Sequence, residues 1–253
     1  MSSALIGHTG FVGGNLARQG SFTHLYNSRN VEEIAGRHFE LVAISAMPAA
    51  MWIANRDPEA DRANLDRLTR CLESVRAERV LVMSTVAVYP DPVGVDESTP
   101  IDSADQTPYG RHRLLLEQFA MAHFPRVLVV RLPGLFGPGL KKNAIHDLLH
   151  HHEVHKVHSG SVYQFYNLDR LTQDIQTAFT AGHTLVNFAT PPVSVAEVAR
   201  EAFGLDFTND PGTPSVRYDV RTRHSSTGYL CDREEVIRDL RAFVTQARGR
   251  RAS

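Results

Sequence analysis

Cysteine is scarce. The 253 residues contain two, Cys71 and Cys231, too few and too far apart for a disulfide framework or a cysteine-built metal site, which points to a reducing, cytoplasmic setting. Net charge is nearly absent as well. At a formal -1, with basic residues spread along the chain, there is no electrostatic footprint for nucleic acid or an anionic membrane. The single basic cluster, Arg248-Gly249-Arg250-Arg251, stands at the very end and reads as a frayed tail. No apolar run approaches the roughly 20 residues of a membrane span, and the first residues lack the basic leader and long apolar stretch of a secretory signal. Internal repeats are missing too.

What is present is alternation. Short apolar runs at Ala4 to Ile6, Thr23 to Tyr26, Leu41 to Ile44, Val80 to Met83 and Val127 to Arg131 read as strands, several covered on both faces. Between them, Gly14 to Gln19, Asp57 to Glu73 and Tyr109 to His123 read as helices. Strand and helix in alternation imply a Rossmann-type, doubly wound parallel sheet in an α/β fold. After Pro133 to Gly139, glycine and proline punctuate shorter pieces: a helix near Ile145 to His151, a strand near Tyr163 to Tyr166, a helix at Leu171 to Thr180, a strand near Thr184 to Phe188, and Val195 to Phe203. The expected organisation is a dinucleotide-binding domain over residues 1–138 and a small substrate-binding annex over 139–253, with segments of about 160–190 returning to the sheet.

The first strand runs into Gly7-His8-Thr9-Gly10-Phe11-Val12-Gly13-Gly14. Such a turn serves as a phosphate cradle, with Gly7 and Gly10 permitting close backbone approach and Gly13 close packing of helix on strand. It serves equally as an ordinary strand-to-helix turn, and the spacing alone does not choose. Three further segments line up with it. Ser84-Thr85-Val86-Ala87-Val88-Tyr89 closes a strand with hydroxyls. Tyr109-Gly110-Arg111-His112-Arg113 sets a phenol and a guanidinium four residues apart on one helical face. Arg131-Leu132-Pro133-Gly134-Leu135-Phe136-Gly137-Pro138 follows the next strand.

With Tyr166-Asn167-Leu168-Asp169 and Val186-Asn187-Phe188, this order of motifs resembles the extended short-chain dehydrogenase/reductase family, mostly nucleotide-sugar epimerases, reductases and dehydratases. The resemblance covers nearly the whole chain. It implies that Tyr109 exchanges a proton with a substrate oxygen, that Arg113 stands where the family has lysine and reaches the cofactor ribose, and that Thr85 hydrogen-bonds the reacting carbonyl. A phenol of ordinary pKa near 10 requires help to ionise, and a neighbouring cation supplies it. Arginine for lysine preserves charge but not shape. A non-catalytic NADP-binding sensor on the same fold therefore stands as the alternative.

By the same resemblance the diphosphate lies against Gly7, Thr9, Gly10, Phe11, Val12 and Gly13. Asn27, Ser28 and Arg29 meet the adenosine ribose, and Ala46, Met47, Pro48, Ser84 and Pro133 line the cofactor. Thr85, Val86 and Asn143, after Lys141-Lys142, face the substrate. The second strand ends without the acid that holds an NAD ribose, and Ser28-Arg29 suit a 2'-phosphate. NADP is preferred over NAD. Val86 and Ala87 replace the acidic pair of dehydratases, and Ala87 also leaves no cysteine of the kind found in carbon epimerases next to a ketone. What remains is hydride transfer at one carbon of a nucleotide-linked keto-sugar, as in an oxidoreductase or C4 epimerase. The interval from Arg29 to Leu41 is short for the family, so a strand and helix are expected to be trimmed. Asn64 matches a structural asparagine, Asp169 offers a cap for the helix at Leu171, and Trp52 and Met51 either line the substrate pocket or pack in the core. Leu114, Leu115, Leu116 and Phe119 form a stripe that packs on the sheet or in a homodimer. Among the six histidines between His146 and His158, helical spacing puts His146 and His150 on one face and His151 and His155 on another, so a metal site is conceivable; no Asp, Glu or Cys arrangement completes a ligand set, so the segment reads as a solvated lid and no metal is expected.

Overall fold

The computed structural model of the chain describes residues 2–252. In chain order its regular elements are β1 (Ser3–Ile6), α1 (Phe11–Gln19), β2 (His24–Tyr26), β3 (His38–Ile44), α2 (Met51–Arg56), α3 (Pro58–Leu72), β4 (Arg76–Thr85), α4 (Pro108–His123), β5 (Val127–Leu132), β6 (Gly134–Phe136), α5 (Ala144–His150), β7 (Val162–Tyr163), β8 (Phe165–Asn167), α6 (Leu171–Thr180), β9 (Leu185–Asn187), β10 (Val193–Ser194), α7 (Val195–Val198) and α8 (Arg233–Ala252). Two compact units divide them. One comprises Met1–Asp91, Ser98–Arg131 and Asp169–Val186; the other comprises Pro92–Glu97, Leu132–Leu168 and Asn187–Ser253.

The first unit is built on a six-stranded sheet, ordered β2-β1-β3-β4-β5-β9, and it is the parallel, doubly wound sheet that alternation implied. Ile6 lies beside Tyr26 on one side and Ile44 on the other, and Ile44 lies beside Val82. This register sends the segments after four strands off the same edge, where ligands of open parallel sheets bind. All of β1 is buried, as a strand with helices on both faces must be. Between β2 and β3 the chain makes a single 3₁₀ turn, Val31–Ile34, whose Val31 and Ile34 are buried. That is the trimming the short interval implied, and it leaves β2 as the edge strand.

Helix α3 begins where local chemistry requires. Asp57 Oδ1 accepts from the Ala60 N–H at 3.1 Å and Pro58 occupies the first turn. Preceding it, α2 is a helix that the sequence patterning did not suggest. At α6 the cap position belongs to Arg170 rather than Asp169, and the Thr172 N–H donates to Gln19 Oε1 at 3.1 Å.

The second unit gathers Phe136, Ile145, Leu148, Val198, Phe203 and Leu240 into its own core. The single strand expected at Tyr163 to Tyr166 is two, β7 paired with β10 and β8 paired with β6. Gln164 separates them. It is 1% exposed, and its side-chain amide donates to the Thr190 and Val220 carbonyls while accepting from the Val220 N–H, so a side chain takes the place of ladder bonds there. The run from Val195 splits into α7 and a π-helical turn, Ala199–Phe203. The expected frayed tail is instead the end of α8, and Arg248 packs over the Phe203 ring at 5.4 Å; the side chains of Arg250 and Arg251 lie outside the described residues.

Candidate active site

Gly7 has φ of +89°, and a Cβ there would stand 2.1 Å from the Ser45 carbonyl oxygen; a Cβ on Gly13 would stand 2.1 Å from the Gly7 oxygen. Both positions exclude every other residue type. Gly10 caps α1 without a side-chain hydrogen bond, so the cap residue itself leaves the first N–H groups of the helix to other acceptors. Thr9 and Gly10 are exposed.

At the end of β4, the Thr85 hydroxyl accepts from the Ala87 N–H at 3.1 Å and is hydrogen-bonded to the Tyr109 hydroxyl. The long separation in sequence between these residues is closed by α4 seating directly on the turn Val86–Val88. The seat is Gly110, where a Cβ would lie 2.3 Å from the Ala87 carbonyl oxygen. Thr107 and Pro108 start the helix, and the Tyr109 N–H is held by Asn55 Oδ1 at 3.0 Å. Asn55, on α2, carries no sequence signal. Asn64, expected to be the structural asparagine, is exposed.

Arg113 lies against the Tyr109 ring, 3.8 Å from its centroid, as two residues four apart on a helix should. Its hydrogen bonds point elsewhere. One guanidinium nitrogen donates to Asp61 Oδ2 at 2.5 Å and to the Tyr109 carbonyl at 3.2 Å, and another donates to the Pro48 carbonyl. The same Asp61 oxygen meets His112 Nδ1 at 2.7 Å. Arg113 and Asp61 are each 4% exposed. A buried carboxylate on α3 holds the guanidinium. Burial pushes the Tyr109 phenol above its ordinary value, outweighing Arg113 and the Thr85 hydrogen bond, while Asp61 adds to the rise. Burial thus outweighs the help toward phenolate expected from a neighbouring cation.

Ser84 is also differently engaged. Its hydroxyl donates to Glu117, a fully buried carboxylate that receives Arg131 at 2.6 and 3.1 Å. Arg131 in turn donates to the Tyr89 hydroxyl at 2.7 Å. The group locks β4, α4 and β5 together, with the Ser84 proton engaged by Glu117. Val86 is 3% exposed, and its side chain belongs to the interior rather than to a substrate surface. Leu116 lies in the core packed around β1, β3 and β4, with Leu115 and Phe119 against that core.

Off the end of β2, Asn27 Oδ1 accepts from the Arg29 N–H and Asn27 Nδ2 lies 3.2 Å from His8 Nε2. Ser28 and Arg29 are exposed, and the Ser28 carbonyl accepts from Arg67. Ala46 and Met47 pack against the core beside the glycine turn. Trp52, at 60% exposed, and Met51 are outside the core, and Arg56 stacks over the indole at 4.9 Å. In the second unit, Pro133 links β5 to β6. Asn143 there has φ of +127°, caps α5 through the His146 N–H, and donates to the Leu135 carbonyl at 2.8 Å. Its amide, expected at a substrate diphosphate, is committed to this turn.

The model of the NAD dependent epimerase/dehydratase family matches residues 23–173. The chain belongs to that family. No curated protein sequence matches it. Among solved structures, the family member is similar to a dTDP-4-dehydrorhamnose reductase from Clostridium acetobutylicum, with 18% identity, 98% of this chain and 100% of that one covered, and TM-score 0.75. It is similar to MoeE5, solved with UDP-glucuronic acid and NAD, with 18% identity, coverage of 98% and 99%, and TM-score 0.74. A UDP-glucuronic acid 4-epimerase from Bacillus cereus gives 16%, coverage of 97% and 99%, and 0.69. These likenesses establish the shared fold. Among the described residues, no helix is long and apolar enough to cross a membrane.

The family's dinucleotide fits the residues present. The Gly7 and Gly13 contacts leave a cradle that a Cβ would fill, and the uncapped first turn of α1 offers backbone donors and a positive dipole end to a diphosphate.

Proposed function

We propose that this chain is an NAD(P)-dependent oxidoreductase or epimerase that transfers hydride at one carbon of a nucleotide-linked keto-sugar. The observation that carries this reading is the Thr85–Tyr109 hydrogen bond at the carboxyl end of β4, on the same sheet edge as the glycine turn. A bound nicotinamide supplies or accepts the hydride. The residues do the rest. Tyr109 Oη, kept protonated by burial, gives its proton to the substrate oxygen as a carbonyl becomes an alcohol, and takes it back in reverse. Thr85 orients that oxygen by donating from Oγ1. Arg113 fixes the ring from its face, and its charge is tempered by Asp61.

Gly7, Thr9, Gly10, Phe11, Val12 and Gly13 would hold the diphosphate. Asn27 in place of an acid, with exposed Ser28 and Arg29, supports NADP over NAD. The similar structures solved with NAD and UDP-sugars support the dinucleotide and nucleotide-sugar classes. Val86 and Ala87, in place of an acid pair, disfavour dehydration. The test is turnover of a panel of nucleoside-diphosphate keto-sugars with NADPH and with NADH. Oxidation of the reduced cofactor that falls by about 10²-fold or more in Thr85→Val is expected. Tight cofactor binding with no turnover of any sugar would overturn catalysis in favour of a sensor.

A further inference from the structure

We propose that His146, Asp147 and His152 form a site for one divalent transition-metal ion, with zinc matching the ligand set. The three residues belong to the second unit, and nothing in the hydride reading uses them.

The side chains converge because of an unusual backbone. Helix α5 stops at His150, and His151 takes a left-handed conformation, φ +52°, which is costly for a residue with a side chain. The turn folds the chain back, so that both the His151 and His152 N–H groups donate to the Asp147 carbonyl. Glu153 is left-handed as well, φ +48°, and turns the chain away again. The outcome is that His152, five residues beyond Asp147, returns to its carboxylate. One ligand atom from each residue lies within 4.8 Å of the other two.

The spacings, within reach of hydrogen bonds and ion pairs, also match those of a coordination sphere. His146 Nδ1 and His152 Nδ1 lie 3.2 and 3.3 Å from the same Asp147 oxygen. Charge-assisted hydrogen bonds run to about 2.7–2.9 Å, and the same chain supplies one, His112 Nδ1 to Asp61 at 2.7 Å. Metal–ligand lengths of about 2.0–2.1 Å in a tetrahedron place neighbouring ligand atoms about 3.3 Å apart. Both measured edges meet that value. The third edge, between the imidazoles, is free to close because the His152 side chain is 60% exposed. The His150 ring stacks on His146 at 4.2 Å and steadies its plane. Two imidazoles and one carboxylate are nitrogen and oxygen donors of the kind zinc takes, and three protein ligands leave one position for water or another small ligand.

The test uses the full chain without a histidine tag, stripped with a chelator and titrated with zinc chloride by calorimetry and with cobalt(II) by absorbance, the imidazoles neutral. We expect one equivalent bound, with the visible bands of tetrahedral cobalt. Affinity should fall in His152→Ala and His146→Ala by more than the ~10–100-fold that an outer-shell substitution costs, while His155→Ala binds as wild type. Circular dichroism confirms that each variant is folded, and exposed His152 carries the test should His146→Ala not fold. Absence of binding at about micromolar metal would overturn the site, as would equal affinity in His152→Ala and wild type.

Discussion

Asp61→Asn removes a charge and almost no volume, which makes it a sharp probe of how Arg113 is held. Asp61 Oδ2 accepts from Arg113 at 2.5 Å and meets His112 at 2.7 Å, and both charged partners are 4% exposed. An amide oxygen can still accept one of these bonds, but the guanidinium is then buried without a counter-charge, a change that costs about 3–5 kcal/mol. For a chain of this size, ~2–4 °C per kcal/mol gives a melting point lower by roughly 6–20 °C. Urea unfolding followed by circular dichroism measures the loss. The double variant Asp61→Leu/Arg113→Met, with both charges gone, should be less destabilised than Asp61→Asn. The same substitution removes a negative charge that raises the Tyr109 pKa and leaves the cation against the ring, so the Tyr109 value should fall. Because that value is raised above the ordinary 10.0 in the folded state, its stabilising contribution is complete below pH 10.0 and is lost as pH rises through the folded value; Asp61→Asn should shrink that contribution. A loss under about 1 kcal/mol, the worth of an exposed pair, would refute the buried ion pair.

Other perturbations probe other joints. Glu117→Gln leaves buried Arg131 unpaired and should cost about 3–5 kcal/mol in urea unfolding, with little change in Glu117→Leu/Arg131→Met relative to wild type. In Gly110→Ala, the new Cβ at 2.3 Å from the Ala87 oxygen should push α4 off its turn, costing ~1–3 kcal/mol and slowing turnover through the displaced Tyr109; activity and stability measured together check it. The Tyr229 hydroxyl donates to Asp219 at 2.5 Å, and burial and that carboxylate push its pKa up to about 12. Its contribution is present below pH 10.0 and is lost as pH rises toward about 12, so Tyr229→Phe should remove that part of the alkaline decline in thermal melts.

The sheet was legible because buried parallel strands announce themselves: Ala4 to Ile6 and Val80 to Met83 are continuous apolar runs, and each is a central strand. The glycine turn was legible because a Cβ is sterically forbidden at Gly7 and Gly13. Tyr109 and Arg113 shared a face by helical period alone. The partner of Arg113 was hidden, since Asp61 lies 52 residues earlier and only the packing of α3 on α4 unites them. The split at Gln164 escaped periodicity for a similar reason, its bonds going to Thr190 and Val220. Among its described side chains, helix α8 fully buries Val236, Leu240 and Val244, a narrow stripe in a charged segment, and its arginine-rich end read as tail. Among the six histidines, spacing suggested helical faces but not the left-handed turn at His151 that returns His152 to Asp147.

The central claim is that the Tyr109 phenol moves the proton that accompanies hydride transfer, and single-turnover oxidation of bound NADPH by a nucleoside-diphosphate keto-sugar tests it most directly. In Tyr109→Phe the rate should fall about 10²–10⁴-fold while cofactor affinity stays within a few fold of wild type. A variant that turns over at the wild-type rate would contradict the account.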